Sequence, residues 1–413
     1  LREAQAQWAA KAWWLDYLSF VVGRPFAPVQ VELQATHDPA VLAEVVQTAA
    51  GFLDQPARPP QIVPASLTFQ AGTPGFQTNV AASLEGVTAA LYRPTEREAP
   101  LLVEAQAATP PDMSLLERYI SGRLQTFNGL GSVFIIDLQT GEEVAINADL
   151  AISGMSMVKI AILLETFRRL DQPPDLDQTK LISETAVLSG NYSANLLLDI
   201  VAGQDNAYLG VDILTESMRR LGLVNTFIAV PYEEPARAGL YTYVTPANSR
   251  TDLSANPDPS MQTTAEELGT LLSMIYYCAQ GGGPLLAVYA DQLTPEECQT
   301  QLRFMERNHI GSLIEAGVPP TTLVAHKHGW IGDTHGDGGI VFTAGGDYVL
   351  VEYLYHPDWL EWGVSSPLLA DFSRATYNYF NFDNPYLGNT TEAVTAGNQN
   401  APVDMTQVED QVR

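Results

Sequence analysis

One stretch constrains this chain more than any other: Gly154-Met155-Ser156-Met157-Val158-Lys159-Ile160-Ala161-Ile162-Leu163-Leu164. From Met157 to Leu164 every residue except Lys159 is apolar, the pattern of a helix buried on all sides rather than an amphipathic surface helix. Ser156 and Lys159 stand three apart, so their side chains leave one face of that helix. Burying an ammonium is costly unless its surroundings are built for it, and the only lysines are Lys11, Lys159, Lys180 and Lys327. Desolvation lowers a lysine's pKa and makes it a base near neutral pH. Ser156, at the helix start, lies where backbone N–H groups and the positive end of the dipole favour a developing anion. The pair reads as a nucleophile and its activator. A capping serine beside a snorkelling lysine is the purely structural alternative.

A chain of 413 residues holds two or three domains with ample core. A net charge of −27 argues against nucleic acid and anionic membrane surfaces as partners, since both would repel it. Cys278 and Cys298 are too few for a disulfide scaffold; they allow one bridge or two buried thiols, and their spacing fits no zinc motif. No apolar run reaches the roughly twenty residues of a membrane span. The chain opens at Leu1 without methionine or a signal-like segment, as a processed or trimmed product would.

In order, residues 1–25 read as an N-terminal amphipathic helix bearing Trp8, Trp13, Trp14, Tyr17 and Phe20, closed by Gly23-Arg24-Pro25. Residues 26–108 read as a small α+β unit. It has strands at 29–33, 66–70 and 101–105, helices at 38–52 and 79–92 with Asn79 as cap, and a Gly72-Thr73-Pro74-Gly75 turn. Pro110 and Pro111 mark a linker. Residues 109–382 then form the main domain: a helix at 113–127, a hairpin of alternating strands at 131–138 and 143–147, and the Ser156 helix. A mostly helical pattern over 175–305 is broken by an irregular stretch at 231–259, of a length that marks functional loops. Strands at 323–327, 339–343 and 348–355 and a helix at 368–380 close it. The fold class is therefore α+β: one antiparallel sheet in which the two ends of the domain meet, flanked by helices, with an inserted helical lobe. The polar tail, 383–413, is expected to be extended or disordered.

Two further motifs follow the Ser156 helix. Ser189-Gly190-Asn191 precedes a helical run, and Lys327-His328-Gly329-Trp330 ends a strand, with glycine admitting a ligand to the backbone. In order, Ser-x-x-Lys, Ser-x-Asn and Lys-x-Gly resemble the class A β-lactamases and penicillin-binding proteins, and the likeness spans roughly residues 113–385. It implies the serine β-lactamase and D,D-peptidase fold. Ser156 would attack a carbonyl and become acylated, with Lys159 as proton acceptor or fixed charge. Ser189 would relay a proton to the leaving nitrogen, Asn191 would bind the substrate amide, and Lys327 would hold a substrate carboxylate. The N–H groups of Ser156 and Trp330, beside Gly329, would form the oxyanion hole. The sequence departs from the family at three places. Gly190 replaces the usual aspartate, His328 replaces the hydroxyl residue that touches the substrate carboxylate, and no arginine follows until Arg374. For the glutamate that activates the deacylating water, Glu234 before Pro235 is the candidate, although Ala236-Arg237-Ala238 lacks the usual leucine and asparagine.

The unit at 26–108 resembles the peptidoglycan-binding module that accompanies VanW-type and L,D-transpeptidase-type wall proteins. Together the resemblances imply an extracellular or envelope-associated serine hydrolase that forms an acyl-enzyme with a D-Ala-D-Ala-like stem peptide or a β-lactam, with glycan as a possible partner of the small unit. A non-catalytic wall or penicillin-binding protein and a serine-dependent glutaminase are the rival readings. His326, His328, His335, Asp333 and Asp337 are close in sequence, but the glycine-rich 333–339 stretch serves as a turn and the serine chemistry needs no metal or cofactor.

Overall fold

The computed structural model describes residues 2–25, 35–239 and 242–388. The chain divides into two compact units, Leu1–Pro59 with Gly72–Thr109, and Pro60–Ala71 with Pro110–Arg413.

In the first unit the expected single N-terminal helix is two, Arg2–Ala10 and Trp13–Val21, parted at Ala12, which is extended. Neither contains a buried residue, and Trp8, Trp13, Trp14, Tyr17 and Phe20 are all exposed. Asp38 caps Pro39–Leu53 by accepting from the Ala40 N–H, and Asn79 caps Val80–Leu91 by accepting from the Ala82 N–H. Strands Gly75–Thr78 and Val103–Gln106 pair antiparallel. The strand expected at 29–33 and most of the polar tail lie outside the described residues.

The strand read at 66–70 belongs to the second unit, as one arm of a hairpin, Gln61–Val63 with Thr68–Gln70. Its apolar residues decide this: Leu67 and Phe69 are buried beside Leu116 and Phe372, and Phe69 meets Tyr379 edge-on at 5.7 Å.

The second unit is organised by a five-stranded antiparallel sheet in the order Leu323–Trp330, Thr334–Phe342, Tyr348–Tyr355, Leu130–Asp137, Glu143–Ile146. The ends of the domain meet where Tyr348 pairs with Asp137 and Tyr355 with Leu130. Side chains alternate across it. Val133, Ile135 and Leu350 bury against helices Met113–Gln125 and Trp362–Phe380, while Phe134, Val349 and Val351 bury toward Ala265–Ala279 and Lys159–Arg169. Each such fully buried side chain contributes about 1.5–3 kcal/mol.

The 333–339 stretch is not a turn: the turn is confined to Ile331–Asp333, closed by Ile331 N–H donating to the Thr334 carbonyl at 2.8 Å, and Thr334–Phe342 is a strand. Its glycines make room for large neighbours, since a Cβ on Gly339 would lie 2.4 Å from that of His326.

The inserted lobe comprises Leu176–Ala186, Asn191–Ala202 and Ala207–Arg220. A short sheet, Ile152–Ser153, Met261–Thr263 and Phe227–Ile228, delivers the chain to Ser156. Cys278 and Cys298 are disulfide-bonded, joining Ala265–Ala279 to Pro295–Met305. On the latter helix the Gln301 amide donates to the Ile160 carbonyl at 3.0 Å, so the bond braces the helix that begins at Lys159. Among the described residues no helix is long and apolar enough to cross a membrane.

The sequence separation across the bond is 20. A Cys278→Ser, Cys298→Ser double variant is therefore expected to lose about 2–4 kcal/mol in urea unfolding without reductant; an unchanged midpoint would show that the bond does not brace the fold.

Candidate active site

Ser156 sits one turn before the helix rather than inside it. Met157 N–H donates to the Gly154 carbonyl at 3.1 Å and Lys159 N–H to the Ser156 carbonyl at 3.3 Å, a tight i to i+3 turn that feeds Lys159–Arg169. Met155 has φ +48°, in the left-handed region that a non-glycine residue rarely enters. Strain of this kind concentrates at functional sites. The turn still presents both side chains to one side, with Lys159 Nζ 2.9 Å from Ser156 Oγ.

Lys159 is fully buried and its amine is surrounded by oxygens from distant segments. The Ser189 carbonyl and Asn191 Oδ1 each lie 2.7 Å away, and Ser189 Oγ lies at 3.4 Å. Asn191 Nδ2 donates to Glu233 Oε1 at 2.8 Å, which orients the amide and turns its oxygen toward Lys159. Burial, reinforced by the like charge of Lys327 and opposed by Glu233, lowers the Lys159 pKa to about 6. At neutral pH the amine is therefore mainly uncharged, with two N–H donors and one lone pair. The two acceptor-only oxygens at 2.7 Å take the donors, and the lone pair is left facing the Ser156 hydroxyl. That is the arrangement of a general base on its nucleophile.

Ser189 reaches the cluster through another left-handed residue, its own φ being +58°. At Gly190, where the resembled family usually has aspartate, a Cβ would fall 2.5 Å from Ser193 Oγ, so a larger residue there would make that hydroxyl shift. Lys327, also fully buried, donates to Ser189 Oγ at 2.9 Å and to the His328 carbonyl at 3.0 Å. Burial brings its pKa to about 7, with Asp337 opposing. Gly329 lets the strand pass against the nucleophile turn, since a Cβ on it would lie 2.9 Å from the Ser156 nitrogen. Among the described residues the Ser156 N–H donates no backbone or side-chain hydrogen bond.

Ser156 opens into a cavity of about 410 Å³, lined by Asn191, Tyr232, Glu233, Glu234, Asp258 and Trp330 among others. Trp330 is half exposed at its rim. His328 is not in the lining. It is 4% exposed on the opposite face of the strand, stacked on the Trp330 ring at 5.0 Å, with Nδ1 3.2 Å from the Asn308 amide. Burial and the neighbouring cations push its pKa down to about 2. Strand alternation explains this: Lys327 faces the cleft, so its neighbours on the strand face away. His328, expected among the substrate-binding residues, therefore does not face the cavity. Glu234 lines the cavity but makes no side-chain hydrogen bond among the described residues, whereas Glu233, which sequence reasoning passed over, is the one joined to Asn191. His326 pairs with Asp337 at 2.9 Å and His335 with Ser365 at 2.6 Å, and the described residues contain no His, Cys, Asp and Glu group able to hold a metal.

Two other residues escaped the sequence reading. Asn195 brackets Tyr232, donating from Nδ2 to its carbonyl at 2.8 Å and accepting its N–H on Oδ1 at 3.0 Å. Tyr232 lies beneath Lys159, with the amine 4.5 Å from the ring centroid. Asn195 follows Ser-x-Asn at one helical turn, a spacing that marks it as facing the same side. Nothing local marks Tyr232, which lies in the irregular stretch.

Residues 115–180 and 172–380 match the beta-lactamase enzyme family. No curated protein matches the chain in sequence. Among solved structures the chain is similar to PBP-A, with TM-score 0.50 and 21% identity over 66% of this chain and 98% of that one. It is similar also to the TLA-3 extended-spectrum beta-lactamase, with TM-score 0.50 and 16% identity over 65% and 99%. A beta-lactamase from Sphaerobacter thermophilus DSM 20745 gives TM-score 0.50 and 16% identity over 67% and 100%.

The buried Lys159 also makes a stability statement. Unfolded, the lysine keeps its proton up to its ordinary pKa of 10.5; folded, it releases the proton above about 6. The folded state thus loses stability as pH falls from about 10 toward 6 and no further below. Lys159→Met is expected to be more stable than the parent, by a margin that widens over that range and then levels off. Thermal melts across pH check this, and a pH-independent margin would contradict the lowered pKa.

Proposed function

The chain belongs to the beta-lactamase enzyme family and has its serine hydrolase fold, and from that premise we propose that it acylates Ser156 with a β-lactam or a D-Ala-D-Ala-like peptide. The observation that carries the proposal is the fully buried Lys159 amine, held by the Ser189 carbonyl and Asn191 Oδ1 at 2.7 Å each and facing the Ser156 hydroxyl at 2.9 Å. Ser156 Oγ adds to the carbonyl carbon as its proton passes to Lys159, and the carbonyl oxygen gathers charge against the Ser156 N–H and its partner on the Trp330 strand. The C–N bond then breaks while Ser189, held by Lys327, delivers its proton to the leaving nitrogen and takes in its place the proton that Lys159 received from Ser156.

Deacylation separates the two halves of the proposal. Glu233, tied to Asn191, is better placed to hold a hydrolytic water than Glu234, yet it is solvent-exposed and its pairing with the amide restrains it. Slow turnover is the consequence, closer to a penicillin-binding protein than to an efficient β-lactamase. One PBP-A mutant structure is an acyl-enzyme complex with penicillin G. The disulfide supports an oxidising, extracytoplasmic setting, and the first unit remains a candidate wall module.

Incubation with a reporter penicillin is expected to add its mass to Ser156, with none on Ser156→Ala. Glu233→Gln should lengthen the adduct's lifetime about tenfold or more, within the range of a lost general base, and Glu234→Gln should leave it unchanged. The reverse ranking would restore Glu234 as the base, and an unmodified parent protein would remove the β-lactam reading.

Acylation should also have a bell-shaped pH dependence. Its rising limb lies near 6, where Lys159 loses its proton, and its falling limb near 7, where Lys327 loses the charge that holds Ser189. Acylation rates from pH 5 to 9 test this, and a plateau continuing above pH 8 would exclude a need for charged Lys327.

A further inference from the structure

The acylation reading assigns no task to Tyr232, yet this side chain meets both the nucleophile turn and the Lys159 amine. It is 7% exposed, and its hydroxyl donates to the Met155 carbonyl at 2.6 Å. Its ring underlies Lys159 Nζ at 4.5 Å, and Asn195 holds its backbone from both sides. Burial and the charge of Asp258 keep the phenol protonated, so it serves as a donor and not as a base.

The contact with Met155 matters because of where that carbonyl sits. Met155 and Ser156 share one peptide plane, and in a trans peptide the C=O and N–H point in opposite directions. Anchoring the Met155 oxygen to Tyr232 therefore aims the Ser156 N–H away from Tyr232. On that other side Gly329 approaches closely enough that a Cβ would lie 2.9 Å from the nitrogen, and the N–H has no other acceptor among the described residues. Met155 is in a left-handed conformation that no glycine eases, so the plane needs an external hold. No other described side chain bonds the Met155 carbonyl.

We propose that Tyr232 is a positioning residue for the oxyanion hole: its hydroxyl fixes the peptide plane that aims the Ser156 N–H at the developing oxyanion, while its ring seats the Lys159 amine. The proposal rests on the reading of Ser156 as nucleophile but not on the identity of the substrate.

Two probes keep those apart. With a reporter penicillin, Tyr232→Phe retains the ring and loses the hydroxyl, and it is expected to lower the limiting acylation rate about tenfold, part of the loss seen when an oxyanion donor is removed outright. Its apparent binding constant should stay as in the parent. An aryl boronic acid tests the same geometry without a β-lactam. Boron takes the Ser156 Oγ lone pair, the Oγ proton passes to Lys159, and a hydroxyl of the resulting tetrahedral boronate occupies the oxyanion position. Its affinity, followed by boron NMR, should fall about tenfold in Tyr232→Phe. A parent protein that takes the boronate but not the penicillin loses the substrate reading and keeps this one. Phenylalanine matching tyrosine in the boronate assay, or a parent protein that forms no boronate adduct, overturns it. Should Tyr232→Phe fail to fold, 3-fluorotyrosine at position 232 preserves the packing and strengthens the donor. A tighter boronate adduct then supports the assignment, and an unchanged one overturns it.

Discussion

The second unit is built to keep one amine buried without its charge. Lys159 lies in the apolar start of a helix whose every neighbour from Ile160 to Phe167 is buried, where an isolated ammonium would cost far more than any single contact returns. The cost is contained in two ways. The amine gives up its proton at neutral pH, and its remaining donors are met by the Ser189 carbonyl and Asn191 Oδ1. Those acceptors come from the lobe, about thirty residues on, and the lobe meets the Lys159 helix only if the domain is folded around it. Solving the burial of Lys159 and assembling the cleft are thus one event.

Much of the sheet was legible because its chemistry is periodic. Alternation placed the strands around Leu130–Asp137 and Tyr348–Tyr355 within a residue of their ends, since each of their side chains is sorted to one of two cores. The three motifs were legible as well, because each combines a reactive side chain with a local backbone requirement. The misreadings share a cause, which is contact between distant segments. Thr334–Phe342 resembles a turn in composition, but its glycines serve close packing against His326 and Tyr353 rather than bending. The Gln61–Val63 and Thr68–Gln70 hairpin reads with the residues beside it in sequence, yet Leu67 and Phe69 find their core against a helix three hundred positions later. Glu233 and Tyr232 are set by loop conformation, Glu233 with φ +60°, and no periodicity reports that.

His328 shows why a motif position and a motif role can separate. The Lys-x-Gly spacing brings Lys327 into the cleft and Gly329 against Ser156. The middle residue must then face the opposite core, where an imidazole can stack on Trp330 and meet Asn308. With the imidazole withdrawn, the cavity wall carries the carboxylates of Glu233, Glu234 and Asp258.

The face behind Lys327 completes the account of how an edge strand holds a reactive lysine in place. Leu323–Trp330 has a sheet neighbour on one side only, and an edge strand is the one most free to shift or fray. Behind it His326 bridges the Asp337 carboxylate at 2.9 Å and the Asn308 carbonyl at 2.5 Å, while Asn308 Nδ2 donates to the His326 carbonyl at 3.1 Å. Burial opposes charge on His326, but Asp337 outweighs it and the pKa rises. A buried ion pair of this kind adds little net stability, because both charges have left water. Its geometric effect is larger, because strand residues on either side of Lys327 are tied to groups that cannot move independently. A one-residue slip of the strand would break the His326–Asp337 pair and carry Lys327 to the wrong face at the same time. The polar layer behind the sheet and the reactive layer in front are therefore selected by the same register.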